Sequence, residues 1–317
     1  MQVVITLIGL PGSGKSTIAH LLCNKNFKFC GKTDYDIISS DEIRKELFGD
    51  EKDQSNNGAV FTKYYQKMEW ALKSGKSVIL DSTNINIKNR KGIFETLKRI
   101  GLKQPTQVTV IALVVDTPIE IVLNQDSSRD RVVGRDVINR YAKMYEHPQL
   151  YEGFDYITLW SYMTQPVFES DFALVKSIAK QMAEFDQKNP HHLYKLGEHC
   201  RRLAEQYAPV DLVQKHAAKW HDVGKLFTQF VDEKGIAHYY GHPNYGTYFL
   251  MSHWKDFFPN LYIDDINKIL FYVNFHMCKF FLTSEKAIEK WKNIWGEELF
   301  EKLIEFGNYD ILASGTK

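Results

Sequence analysis

The chain has 317 residues, which at about one domain per 100 to 200 residues predicts two domains. Lys and Arg number 40 against 39 Asp and Glu, and 44% of residues are hydrophobic and 25% charged. This is a globular composition that excludes disorder, collagen or coiled coil for the whole chain. The longest apolar run, Val108 to Val115, falls far short of the roughly 20 residues a bilayer requires, and no basic-then-apolar leader opens the sequence. A cytoplasmic protein with no membrane partner is expected.

In chain order, apolar β-rich runs stand at Val3 to Leu10, Ile37 to Ser39, Val78 to Leu80, Val108 to Val115 and Tyr156 to Trp160, separated by segments with helical spacing. Such alternation predicts an α/β unit, a parallel sheet with helices on both faces. From Ser170 onward the apolar positions recur at helical spacing, as in Leu193, Leu196, Cys200, Leu203 and in Ile266, Ile269, Leu270, Val273, broken by Pro190, Pro209, Pro243 and Pro259. The second half is expected to be all-α. The expected division is a first domain over 1–165, a linker over 166–186 and a second domain over 187–317. Nine of the eleven histidines lie after residue 165, so the halves differ in chemistry. Cys23, Cys30, Cys200 and Cys278 match no zinc or redox spacing and are expected as buried thiols.

After the first strand comes Gly9-Leu-Pro-Gly12-Ser13-Gly14-Lys15-Ser16-Thr17, the pattern G-x-x-x-x-G-K-[ST] with a helical segment following. Its glycines let backbone N–H groups face a triphosphate. Lys15 can neutralise the β and γ oxygens, and Ser16 offers a hydroxyl to Mg²⁺. The cofactors expected are therefore ATP or another NTP, with Mg²⁺. The second strand ends at Ser39-Ser-Asp41-Glu-Ile-Arg44, where a doubly wound sheet opens to ligands. Asp41 and Arg44 share a helix face, pairing a carboxylate able to accept a hydroxyl proton with a guanidinium able to hold a phosphate; Asp41 could equally serve as the helix cap. The third strand ends at Asp81, followed by Ser82-Thr83-Asn84, and offers Asp81 to the Mg²⁺ shell and Thr83 and Asn84 to a substrate. Arg129, Arg131, Arg135 and Arg140 are either a solvated helix face or a lid over the transferred phosphoryl group.

Together GLPGSGKST, SSDEIR, ILDSTNI with the basic residues Lys88 to Lys91, SSRDRVVGRDVINRYAKMY and EGFDYI resemble the P-loop polynucleotide 5′-kinases of the phage type over residues 1–160. The resemblance implies transfer of the ATP γ-phosphate to a 5′-hydroxyl of RNA or DNA. Asp41 would act as general base, Arg44 on the acceptor phosphate, and Arg129 or Arg131 as the lid arginine. Where such lids often read Val-Pro this chain has Val133-Gly134, which leaves the two arginines open.

The second half carries His199, His221-Asp222, His242, His276 and Asp310. Imidazole with carboxylate suits divalent Mn, Fe, Co, Ni or Zn, and bundle cores host such sites. Asp310 falls among inward apolar positions, where a lone carboxylate is costly without a cation. The order H…HD…H…H…D, with His221-Asp-Val-Gly-Lys225, resembles the HD-domain metal-dependent phosphohydrolases over residues 187–317. By position this implies His199, His221, Asp222 and Asp310 as core ligands, His242 and His276 as those added for a second ion, and Lys225 with His191 or His192 on phosphate.

Kinase and HD modules occur joined in some bacterial end-healing proteins. The combined expectation is a bifunctional enzyme that phosphorylates 5′-hydroxyl ends of RNA or DNA and removes a 3′ or 2′ phosphate or opens a 2′,3′-cyclic phosphate, leaving ends for a separate ligase partner. Two alternatives stand beside it: a kinase whose HD half hydrolyses free or cyclic nucleotides, and an ATP-sensing regulatory module with a degenerate HD half. Tyr64, Tyr65 and Trp70 could stack bases, but are expected as core of a long helix.

Overall fold

In a computed structural model, the described residues are 1–24, 28–32, 34–129, 132–161, 172–207 and 211–315. The chain divides into two compact units, Met1–Asn139 with Pro148–Thr164, and Arg140–His147 with Gln165–Lys317.

The first unit is built on five parallel strands, β1 (Gln2–Ile8), β2 (Tyr35–Ser39), β3 (Ser77–Asp81), β4 (Val108–Val115) and β5 (Tyr156–Trp160), in the order β2-β3-β1-β4-β5. Every residue of β4 is buried, as an all-parallel sheet covered on both faces requires. The connecting helices are α1 (Lys15–Leu22), α2 (Ser40–Phe48), α3 (Asn57–Lys73), α4 (Ile87–Ile100) and α5 (Ile119–Ser127). Val3, Ile5, Leu7, Ile79, Ile111 and Leu113 form one core with Ile18 and Leu22 of α1. The register sets Ser39 opposite Asp81, so the residues that follow β2 and β3 leave the sheet side by side at its carboxyl edge. All five predicted strands are present.

Helix α6 (Arg135–Ala142) begins in the first unit and ends in the second. The second unit continues with α7 (Ala173–Glu184), α8 (Leu196–Glu205), α9 (Leu212–Trp220), α10 (Lys225–Thr228), α11 (His242–Ser252), α12 (Trp254–Phe257), α13 (Ile263–Phe275), a 3₁₀ turn over His276–Phe281, α14 (Glu285–Trp295) and α15 (Glu297–Ala313). Leu196, Cys200 and Leu203 line the buried stripe of α8, and Ile266, Ile269, Leu270 and Val273 that of α13. Helix α11 is buried on nearly every side, which marks it as the centre of the bundle. His147 is buried in this unit, its ring between the Tyr145 hydroxyl and Asn267 Oδ1 at 2.8 Å each, its N–H on Asn274 Oδ1.

Four expectations are corrected. The stretch assigned as linker contains α7, which buries Ile178 and Met182. The helical half also holds a short antiparallel hairpin, β6 (Phe230–Val231) with β7 (Ala237–His238). Cys30 is exposed and only Cys200 of the four cysteines is fully buried. Tyr64 is core, but Trp70 is 66% exposed, because its position on α3 faces away from the sheet.

Candidate functional site

The glycine-rich loop joins β1 to α1 as the motif requires. Gly12 and Gly14 take φ of 81° and 91°, the left-handed region that side chains resist, and a Cβ on Gly9 would stand 2.6 Å from Ser13 Oγ. Gly14 precedes α1 without a side-chain cap, so the first amides of the helix stay available to an anion. Lys15 Nζ donates to Leu10 O at 2.7 Å, Ser16 Oγ donates to Asp81 Oδ2 at 2.7 Å, and Thr117 Oγ1 holds Ser13 O at 2.9 Å. Burial lowers the Lys15 pKa to about 8, opposed by the charges of Asp81 and Asp41. The pair Ser16 and Asp81 is thus assembled where a phosphate-bound Mg²⁺ would be held, and Thr17 follows on the same helix.

At the neighbouring edge the cap of α2 is Ser39, whose side chain accepts from Glu42 N–H at 3.4 Å, so capping does not account for Asp41. Arg44 is buried and donates to Asp41 Oδ1 at 2.5 Å and to Asn57 Oδ1 at 3.1 Å, while the Asp41 side chain stays 48% exposed. A half-open carboxylate is therefore aligned by a rigid guanidinium. Asn84 has another role than the one expected: it is 1% exposed, its φ is 46°, and its amide donates to Leu7 O at 2.9 Å. Thr83 O receives the Gly9 N–H at 3.2 Å, so both residues brace the phosphate loop from behind. Arg90, one of the basic residues that follow ILDSTNI, is fully buried; it donates to Asn84 O at 2.9 Å and twice to Glu152 at 2.7 Å.

The Arg129 guanidinium lies 3.6 Å from the position of a Cβ on Gly12, beside the phosphate loop. Arg131 lies outside the described residues, and Arg135 and Arg140 are exposed on α6. Asp126, which sequence reasoning missed, is buried and accepts the N–H of Val133 at 3.1 Å and of Gly134 at 2.9 Å, closing the loop that carries Arg129. Thr117 was missed as well; its signal is a polar residue directly past a strand at the carboxyl edge.

In the second unit α8, the end of α9, α11, the 3₁₀ turn and α15 bring all six expected ligands together. Asp310 Oδ1 lies 2.9 Å from His199 Nε2 and 3.2 Å from His221 Nε2. Asp222 Oδ2 lies 3.5 and 3.2 Å from the same two nitrogens, and its Oδ1 lies 3.1 Å from His242 Nε2 and 3.5 Å from His276 Nε2. One carboxylate therefore faces two nitrogen pairs. His221, His242 and His276 each place Nδ1 within 2.9 Å of a backbone carbonyl, those of Ala218, Tyr239 and Val273. With Nδ1–H donated to the carbonyl, each ring turns its Nε2 inward, where it offers a lone pair whenever the ring is neutral. His242 Nε2 and His276 Nε2 nonetheless stand 3.2 Å apart, as do those of His199 and His221. Buried Asp310 Oδ1 accepts no well-directed hydrogen bond. Nitrogens and carboxylate oxygens converging in this way suit positive charge between them, whether a proton or a metal cation.

The two carboxylates favour positive charge at this centre: burial opposes it, but the charges of Asp222 and Asp310 hold the His221 pKa well above its ordinary value. Burial lowers the His199 pKa, but hydrogen bonds to Asp222 and Asp310 override it and raise it to about 9. Burial would raise Asp222, yet His221 and Lys225 hold it well below the usual carboxylate range. His242 is pushed down to about 4 by burial despite Asp222. The donor set of four imidazoles and two carboxylates fits divalent metals. His199, His221, Asp310 and Asp222 could hold one ion, and His242, His276 and Asp222 a second. Lys225 Nζ binds Asp222 Oδ2 at 2.7 Å, Gln187 Oε1 at 2.9 Å and His192 Nε2 at 3.2 Å. Of the two adjacent histidines, His192 is thus at the centre and His191 is exposed. Gln187, which fixes Lys225, carried no sequence signal, since its role depends on a lysine 38 residues away.

The AAA domain family matches residues 4–148. The transcription factor bHLH140 of Arabidopsis thaliana is 28% identical over 166 residues, 49% of this chain and 16% of that protein; the chain thus spans about one sixth of that curated relative. Solved structures similar to this chain include a Pnkp1/Rnl/Hen1 complex, with 21% identity over 42% of this chain and 40% of that one at a TM-score of 0.33. Another is a gluconokinase from Sinorhizobium meliloti, with 16% identity over 52% of this chain and 83% of that one at a TM-score of 0.33. Residues 4–148, which match the AAA domain family, carry the glycine-rich loop described above, an arrangement suited to a nucleoside triphosphate with Mg²⁺. Among the described residues no helix is long and apolar enough to cross a membrane.

Proposed function

We propose that the chain is a bifunctional end-healing enzyme for RNA or DNA, with a 5′-hydroxyl kinase in residues 1–165 and an HD-type phosphohydrolase in residues 187–317. The observation that carries the reading is the pair of sites itself: a phosphate loop beside an Arg44-aligned Asp41, and Asp222 facing two imidazole pairs with its two oxygens. In the kinase step the 5′-oxygen attacks the ATP γ-phosphorus as its proton passes to Asp41, and the bond to the β-phosphate oxygen breaks to release ADP. Lys15 and Arg129 offset the charge on the transferred group, and Arg44 holds the acceptor's own phosphate. In the hydrolase site Lys225 and His192 orient the phosphate. Divalent ions held there would lower the pKa of a water and polarise the phosphorus–oxygen bonds.

The test is end-group analysis of a synthetic RNA with a 5′-hydroxyl and a 2′,3′-cyclic phosphate, incubated with Mg²⁺ and Mn²⁺, with and without ATP. ATP-dependent gain of a 5′-phosphate and ATP-independent loss of the terminal phosphate are expected. A 3′ end left intact, whether cyclic or open, would overturn the hydrolase assignment on polynucleotides and redirect that site to free nucleotides.

A further inference from the structure

Beside the metal centre the hairpin β6–β7 presents aromatic rings that no step above uses. Antiparallel pairing sets Phe230 opposite His238, with ring centroids 6.4 Å apart, and the Tyr240 ring lies parallel to that of His238 at 5.7 Å, interplanar angle 1°. Phe230 is 61% and Tyr240 71% exposed, so the row opens to solvent. The scaffold beneath it is fixed. His238 Nε2 is 2.9 Å from Asp232 Oδ2, and Asp232 Oδ1 also accepts the N–H of Lys234 and Ile236 at 2.9 Å, closing the hairpin turn. Ala237 N–H donates to Lys188 O, and Asn189 Nδ2 donates to Ala237 O.

The residue between the two stacked rings points the other way. Tyr239 donates its hydroxyl to Gln187 O, carries Lys225 Nζ 5.3 Å from its ring centre, and accepts His242 Nδ1–H on its carbonyl at 2.8 Å. The inward contacts of Tyr239 thus set one ring on Lys225, while Phe230 and Tyr240 stand open to solvent. Three rings in a row exceed what one base can cover, and flat exposed π-faces on a preorganised hairpin are the means by which unpaired bases are held without sequence preference.

We propose that Phe230, His238 and Tyr240 form a stacking platform for the unpaired terminal nucleotides of a polynucleotide whose 3′-phosphate occupies the metal centre. The proposal rests on the phosphohydrolase reading and narrows its substrate to single-stranded ends rather than free nucleotides. It is tested with the full chain and a single-stranded RNA blocked by fluorescein at its 5′ end and ending in a 3′-phosphorothioate, titrated by fluorescence anisotropy. Tyr240→Ala should weaken binding about ten-fold and the Phe230→Ala/Tyr240→Ala double variant further, as loss of base stacking predicts, whereas Tyr240→Phe, which keeps the ring, should stay within about two-fold of the parent. In parallel, the ratio of kcat/KM on the 3′-phosphate RNA to that on glycerol phosphate, which has no base, should fall about ten-fold in Tyr240→Ala. Binding within about two-fold of the parent in the double variant overturns the platform. Hydrolysis of neither substrate by the Mn²⁺-loaded parent instead overturns the phosphohydrolase reading, while the anisotropy series still decides the platform.

Discussion

Lys15 is the residue whose environment most directly reports ligand chemistry. Burial favours its neutral amine, and the folded pKa of about 8 lies below the ordinary 10.5. Between these values the unfolded chain binds more protons than the folded one, so stability of the unliganded protein rises with pH through that window. A triphosphate at the loop restores the ammonium. ATP binding at a pH of about 9 should therefore take up close to one proton, measured by calorimetry in buffers of different ionisation enthalpy, and Lys15→Met should abolish both the uptake and, by about 10²-fold or more, phosphoryl transfer. ATP binding without proton uptake would mean that Lys15 already carries its proton in the unliganded protein or does not meet the phosphates, and the Lys15→Met loss of transfer separates the two. In the second unit Asp222 has the equivalent weight, because both of its oxygens face imidazole nitrogens. Asp222→Ala should reduce bound metal, read by elemental analysis of the purified chain, to background, while His242→Ala should remove about one of two ions. A full metal complement in Asp222→Ala would remove it from the ligand set.

At the scale of elements, the sheet was legible because its strands are short apolar runs, the central β1, β3 and β4 covered on both faces, and the phosphate loop because its motif stood between a strand and a helix. That four histidines and two aspartates would gather in the helical core was legible from residue order, since a shared cation is one of the few reasons to bury them together. Residues whose role depends on a distant partner were not legible. Asp126 serves two amides of the following loop, Gln187 serves Lys225, and the β6–β7 hairpin is too short to form a periodic pattern. Arg90 had a signal that charge obscured: it stands three and seven residues before Ile93 and Leu97, on the buried stripe of α4. Its ion pair with Glu152 links α4 to the turn before β5 with side-chain exposures of 0% and 4%. Arg90→Met leaves Glu152 uncompensated and should cost about 3–5 kcal/mol, visible as a lower denaturation midpoint; a loss below about 1 kcal/mol would mean that Glu152 finds another partner or water.

At the scale of the whole molecule, the division of labour follows from where each side chain originates. The phosphate loop, Asp41, Arg44, Asp81 and Arg129 all belong to the unit formed by Met1–Asn139 and Pro148–Thr164, and the six metal-facing residues, Lys225 and His192 all belong to the other. Each unit also buries its own apolar core, the first around β1 and β4 and the second around α11 and α13. Among the described residues each candidate set lies within one unit, so on the proposed reading removing one centre should leave the other intact. On the RNA with a 5′-hydroxyl and a 2′,3′-cyclic phosphate, Lys15→Ala should process only the 3′ end and Asp222→Ala only the 5′ end. The two variants mixed in one reaction should yield fully healed ends at about the rate of two independent steps. If either substitution silenced both ends although the protein kept its thermal midpoint, the sites would be coupled through the chain, and the assignment of one complete catalytic set to each unit would fall.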